Sequence, residues 1–162
     1  SSTSRGLGDV YKRQIYYSPV DGKNLNRMFP GNAQGTLSQR IAHQITTKVI
    51  DQADYLIDLH SGDGNEALRP YVYMPVTGDA GFDMKIKGLA VAFGLDHIVI
   101  DTGPQHASGP SLFTDQTALV RGIPAITTET GQSGSNDPYW SGLATSGIWN
   151  AVSYTHLRAH ET

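Results

Sequence analysis

An α/β layered fold is the architecture that this sequence predicts, and three observations predict it. Short β-branched or aromatic runs alternate along the chain with stretches of helical periodicity. The segments between them carry Gly, Pro, Asn and Asp, the residues that stop helices and make turns. At 162 residues the chain is one domain's worth, enough to bury a single core.

The elements follow in order. Ile15, Tyr16 and Tyr17 read as the end of a short strand, before a Pro/Gly/Asn-rich loop that runs through Gly35. Thr36, with Gln39 three residues on, has the form of a capping box. Leu37, Ile41, Ile45 and Val49, joined by Ala42 and Ile50, make an apolar stripe at helical spacing to about Gln52. A strand from Tyr55 to His60 precedes a Gly-rich loop, and Tyr71 to Met74 forms another. Asp79 caps a helix that reaches Phe93, where Gly94 stops it. Asp96 to Ile100 is a β-branched strand. A loop with Gly103, Pro104, Gly109 and Pro110 leads to a helix from about Ser111 to Arg121. Ile123 to Thr128 is a buried strand ending at Glu129, and a last helix covers Leu143 to Ala151.

Composition narrows the function. A formal net charge of −3, with no basic patch among aromatics, argues against nucleic acid and anionic membranes as partners. No run approaches the ~18 apolar residues of a membrane-spanning helix. The chain has no cysteine, so it has no disulfide framework and no thiolate metal site. Any metal must be held by His, Asp or Glu, and a cytoplasmic location fits.

Both ends stand apart from the rest. Residues 1–14 are rich in Ser, Gly and Arg, without the apolar core of a signal peptide. They and residues 152–162 resemble translated adapter sequence, and are expected to be a non-native leader and tail around a domain at 15–151.

Three segments hold residues that could carry chemistry. In Tyr55-Leu56-Ile57-Asp58-Leu59-His60-Ser61-Gly62, alternation puts Leu56, Asp58 and His60 on one strand face, with His60 at the C-terminal end. Ligands and metals gather at that edge of open α/β sheets. A neutral imidazole there can bind Zn²⁺, with a carboxylate two residues back to orient it; a strand-end histidine bonded to backbone is the plain alternative. In Asp21-Gly22-Lys23-Asn24-Leu25-Asn26-Arg27-Met28-Phe29-Pro30-Gly31, Arg27 offers a planar fork suited to a carboxylate and Asn26 a neutral donor, unless Arg27 is an ordinary surface arginine. Asn24 more naturally shapes the loop. In Gly122-Ile123-Pro124-Ala125-Ile126-Thr127-Thr128-Glu129-Thr130-Gly131, Glu129 is either a general acid/base or a solvated loop carboxylate.

In this order, the segments resemble the succinylglutamate desuccinylase/aspartoacylase family of zinc-dependent deacylases, relatives of the zinc carboxypeptidases. Asn-Leu-Asn-Arg-x-Phe-Pro-Gly is the most specific string, and the resemblance covers about Ile15 to Ala151. It implies a three-layer zinc-carboxypeptidase-like fold with a mixed, mostly parallel sheet. It implies His60 as a zinc ligand, Glu129 as the catalytic proton shuttle, and Asn26 with Arg27 as the grip on a substrate carboxylate. Asp58 would be a supporting residue. The implied reaction is hydrolysis of an amide bond in an N-acyl amino acid or similar small carboxylate.

The family takes two more zinc ligands from a His-x-x-Glu segment upstream of the Asn-Arg motif, and no such segment stands there. The sequence is therefore expected to be a fragment with an N-terminally incomplete sheet, inactive by itself. The alternatives are a non-catalytic module that binds small anions through Arg27, and a peptide carboxypeptidase of the same superfamily.

Other patterns carry less. His156 and His160 have the i,i+4 spacing of a zinc pair, but they lie in the suspect tail with Leu157 and Arg158 where a metalloprotease needs its Glu. Gly62-x-Gly64 and Gly131-x-x-Gly134 lack the rest of a nucleotide loop. No Gly-x-Ser-x-Gly elbow is present. His43, His97 and His106 have no evident chemical partners.

Overall fold

The computed structural model describes residues 17–103 and 113–159, with side chains through residue 156. Ile15 and Tyr16, the segment 1–14, Pro104, Gly109, Pro110, Ser111, His106 and His160 lie outside the described residues.

Helix α1 (Leu37–Lys48) begins where the capping box puts it. The Gln39 side chain accepts from the Thr36 backbone N–H at 2.9 Å. Asp21 adds a longer-range cap: its carboxylate accepts from the Ser38 backbone N–H (2.7 Å) and from the Ser38 hydroxyl (2.8 Å). The bond from the Ser38 backbone holds the Asp21 carboxyl well below the usual carboxylate range.

The face that α1 turns inward differs from the expected one. Ser38, Ala42 and Thr46 are buried, while Leu37, Ile41 and Val49 stay exposed. Of the expected stripe, Ile45 joins the core together with Ala42 and Ile50. Close approach of the preceding loop is the reason. Gly31 has φ +86° and lies against the helix, where a Cβ would overlap the His43 backbone nitrogen and the Gln39 carbonyl oxygen. The Asn32 N–H donates to that same carbonyl at 3.0 Å. Backbone docked so tightly favours small side chains on that side over leucine and isoleucine.

Strands β1 (Leu56–His60), β2 (Tyr71–Pro75), β3 (Ile98–Asp101) and β4 (Ala125–Glu129) form one mixed sheet in the order β1-β4-β2-β3. The β1–β4 and β2–β3 pairs are parallel and β2–β4 is antiparallel. Strand β3 starts at Ile98 rather than Asp96. The Asp96 carboxylate is drawn instead to Arg69 Nη2 at 2.7 Å and to His97 Nδ1 at 2.8 Å.

Helix α2 (Ala80–Phe93) follows its sequence signals closely. The Asp79 carboxylate accepts from the Phe82 N–H at 2.9 Å, and Gly94 ends the helix with φ +88°. It packs on β2 and β4, burying Ile86, Leu89, Ala90 and Phe93. Helix α3 (Thr114–Leu119) packs on β1 and β4. Consecutive residues Ala125 and Ile126 of β4 point to opposite faces and are both fully buried, so this central strand is covered on both sides.

Helix α4 (Pro138–Ala159) lies on α2 and is longer than the expected 143–151. Asp137 accepts from the Tyr139 N–H at 2.9 Å and so starts the helix earlier. At its other end the helix runs on through Val152 into the stretch that the sequence sets apart. The two helices meet through glycines: Gly147 leaves room for the Phe93 ring, and Gly88 for that of Tyr154. Among the described residues no helix is long and apolar enough to cross a membrane.

Gly31→Ala is expected to lower stability by about 3 kcal/mol, through backbone overlap and an unfavourable positive φ. Urea denaturation checks this, and a loss below about 0.5 kcal/mol would mean that the loop is free to move off α1.

Candidate active site

The site grows out of one strand pairing. Strands β1 and β4 run parallel in a register that sets His60 opposite Glu129 and Asp58 opposite Thr127. Partners in such a pair point to the same face of the sheet from strands about 4.8 Å apart. His60 and Glu129 therefore leave the C-terminal edge side by side. The pairing continues past the strand ends, with the Thr130 N–H donating to the His60 carbonyl (3.0 Å) and the Gly62 N–H to the Gly131 carbonyl (2.9 Å). A Cβ on Gly131 would stand 2.8 Å from Ser61 Cβ, so the two loops can close up this far only because residue 131 is glycine.

His60 is held by Asp58: Nε2 lies 3.1 Å from Asp58 Oδ2. The bond to Asp58 raises the His60 pKa, against the opposing effect of burial, and the charges of Glu129 and Asp115 add to the rise. The ring's Nδ1 has no partner among the described residues and is the atom left for a ligand. A zinc ion fits these residues at one corner only. His60 can supply one imidazole oriented by a carboxylate, yet among the described residues no three His, Cys, Asp or Glu side chains cluster to hold a metal.

Glu129 is pushed up from the usual carboxylate range by burial, with His60 pulling the other way. Its Oε2 is buried and has no hydrogen-bond partner among the described residues. A buried acceptor without a donor is costly unless something that enters the cleft supplies one.

Another part of the cleft lining comes from the Asn-Leu-Asn-Arg string. Asn24 Oδ1 accepts from the Asn26 N–H at 3.0 Å and caps a 3-10 turn, Leu25–Arg27, as its loop-shaping reading requires. Asn26 does more than its sequence suggests. Its side-chain carbonyl accepts from both the N–H and the hydroxyl of Thr114, each at 2.9 Å, and so caps the start of α3. Only its NH₂ group is left for a substrate. The Arg27 guanidinium lies 4.1 Å above the centre of the Phe113 ring and donates from Nη1 to the Asn26 carbonyl at 3.0 Å.

All four residues singled out in the sequence, Asn26, Arg27, His60 and Glu129, line one cleft of about 720 Å³. Arg27 is the one lysine or arginine among its described lining residues. Sequence reasoning missed Tyr71 and Tyr73. Alternation along β2 puts both on one face, but only the antiparallel pairing sets Tyr71 opposite Glu129 and Tyr73 opposite Thr127. Of the other described histidines, His97 has a partner that the sequence did not reveal, Asp96 at 2.8 Å, while His43 and His156 are not among the residues that line the cleft.

The profile of the succinylglutamate desuccinylase/aspartoacylase catalytic domain matches residues 11–139. The chain is 32% identical over 134 residues to the N-alpha-acetyl-L-2,4-diaminobutyric acid deacetylase of Halomonas elongata, covering 82% of this chain and 38% of that relative's length. A succinylglutamate desuccinylase/aspartoacylase structure from Rhodobacter sphaeroides superimposes with a TM-score of 0.77 at 27% identity, covering 89% of this chain and 41% of that one. The product-bound ectoine utilization protein EutE (DoeB) from Ruegeria pomeroyi gives 0.74 at 26% identity, over 84% and 40%.

Asn26→Ala is expected to lower stability by about 1–2 kcal/mol, because it uncaps α3 and releases the loop. Asn26→Asp keeps the acceptor and should cost clearly less. Equal losses in thermal melts of the two variants would show that the bond to Thr114 is not what matters.

Proposed function

Because the chain belongs to the succinylglutamate desuccinylase/aspartoacylase family, we propose that its cleft serves a hydrolase that removes the acyl group from an N-acyl amino acid or a similar small carboxylate, with zinc as cofactor. One observation carries the reading: His60 and Glu129 stand opposite each other in register at the strand ends, in a cleft that Arg27 also lines. The deacetylase name of the relative from Halomonas elongata agrees with the substrate class.

Each residue then has one task. Arg27, braced on Phe113, turns the remaining donors of its fork to the substrate carboxylate, and the Asn26 NH₂ adds another. His60 would give one imidazole to the metal, its ring fixed by Asp58, and further ligands would have to come from outside the described residues. When bound, zinc would supply Lewis acidity at the acyl carbonyl and lower the pKa of a water toward ~7. Glu129 Oε2 takes a proton from the water whose oxygen bonds to the acyl carbon. The same carboxyl then gives that proton to the amide nitrogen as the C–N bond breaks, releasing a carboxylic acid and the amino acid. An anion-binding module or a peptide carboxypeptidase would also use Arg27. The unpartnered oxygen of Glu129 speaks for chemistry over mere binding, and a cleft of this volume suits a small substrate.

In the intact protein, Glu129→Gln is expected to cut turnover of an N-acetyl amino acid by about 100- to 10,000-fold with bound zinc retained. Steady-state kinetics with metal analysis tests this. Turnover within a few-fold of the unsubstituted protein would remove Glu129 from the reaction.

A further inference from the structure

One tyrosine of a bonded pair lines the cleft, and the proposed reaction assigns it no part. Tyr71 and Tyr73 lie two residues apart on β2 and share a sheet face with Glu129 and Thr127. Their rings meet edge to face, with centres 4.9 Å apart, and the Tyr71 hydroxyl donates to the Tyr73 oxygen at 3.1 Å. Burial, and then that bond to Tyr73, push the Tyr71 phenol up from its ordinary value, so Tyr71 keeps its proton. The Tyr73 oxygen is thereby fixed in place while its own O–H is still unused. The Tyr73 hydroxyl makes no further hydrogen bond among the described residues, and Tyr73 lines the cleft.

The geometry points to Tyr73 as a substrate-binding residue whose hydroxyl donates to the acyl oxygen of an N-acyl amino acid, with Tyr71 as the residue that positions it. This rests on the proposed deacylase reading. Such a substrate offers two acceptor groups, a carboxylate and an acyl oxygen. Arg27 and Asn26, which line the same cleft, serve the first. The second must sit beside Glu129, since the carbon it belongs to is the one attacked. Tyr73 reaches the cleft from the strand next to Glu129 and brings a donor that is already oriented, so little ordering is needed when it binds.

The test is calorimetric binding of N-acetyl-L-2,4-diaminobutyrate, and of L-2,4-diaminobutyrate without its acetyl group, to the metal-stripped intact protein, in which turnover is suppressed. Tyr73→Phe should bind the acetylated compound about 5- to 10-fold more weakly, the worth of one hydrogen bond, and the free amino acid within about 2-fold of the unsubstituted protein. Tyr71→Phe should give a smaller loss, about 3-fold, again confined to the acetylated compound. Arg27→Ala should weaken both compounds. If Arg27→Ala weakens both while Tyr73→Phe changes neither, or changes both alike, the tyrosine inference is overturned and the carboxylate grip stands. If Tyr73→Phe acts as described but Arg27→Ala has no effect, the grip falls and Tyr73 remains. No binding of the acetylated compound by the unsubstituted protein would overturn both.

Discussion

Everything at the site depends on the parallel pairing of β1 with β4. A parallel ladder carries residues of two distant segments to the same height, and a shift of one residue would send one partner to the other face. In the register observed, His60 and Glu129 are neighbours although they are far apart in sequence. The ladder is extended past both strands by the bonds Thr130 to His60 and Gly62 to Gly131, and Gly131 gives the room that this extension needs. The edge of the sheet is thus a rigid shelf, and the two side chains that stand on it inherit its precision.

The loop that carries Asn26 and Arg27 is held by contacts that serve structure and site together. Gly31 seats its loop on α1, Asp21 caps the same helix from the loop's beginning, and Asn26 caps α3 from its middle. Arg27 projects from the turn between these anchors and rests on Phe113, just ahead of the helix that Asn26 caps. A mobile arginine would lose side-chain entropy on gripping a carboxylate. An arginine already stacked on a ring has lost part of it beforehand.

Most of the elements could be read from the sequence because their signals are local. Asp79 and Gly94 bracket α2 as their chemistry demands, and the apolar runs before His60 and Glu129 are strands. That Asn26, Arg27, His60 and Glu129 share one cleft was foreshadowed for a different reason: a resemblance tied three short strings together where no contact between them is visible in sequence. What escaped was set by tertiary approach. The stripe of Leu37, Ile41 and Val49 has helical spacing yet faces outward, because the Gly31 loop claims the other side of α1. The brace from Asn26 to Thr114 spans a sequence distance at which no periodicity speaks. The Tyr71–Tyr73 pair becomes meaningful only once β2 is known to run antiparallel to β4.

In the proposed reaction His60, steadied by Asp58, is a metal ligand at the shelf it shares with Glu129. Zinc content of the purified intact protein, measured beside that of His60→Ala, tests it most directly. About one zinc per chain is expected in the unsubstituted protein, and its loss in the variant with the fold retained. Zinc absent from both well-folded proteins, or held equally by both, would contradict it.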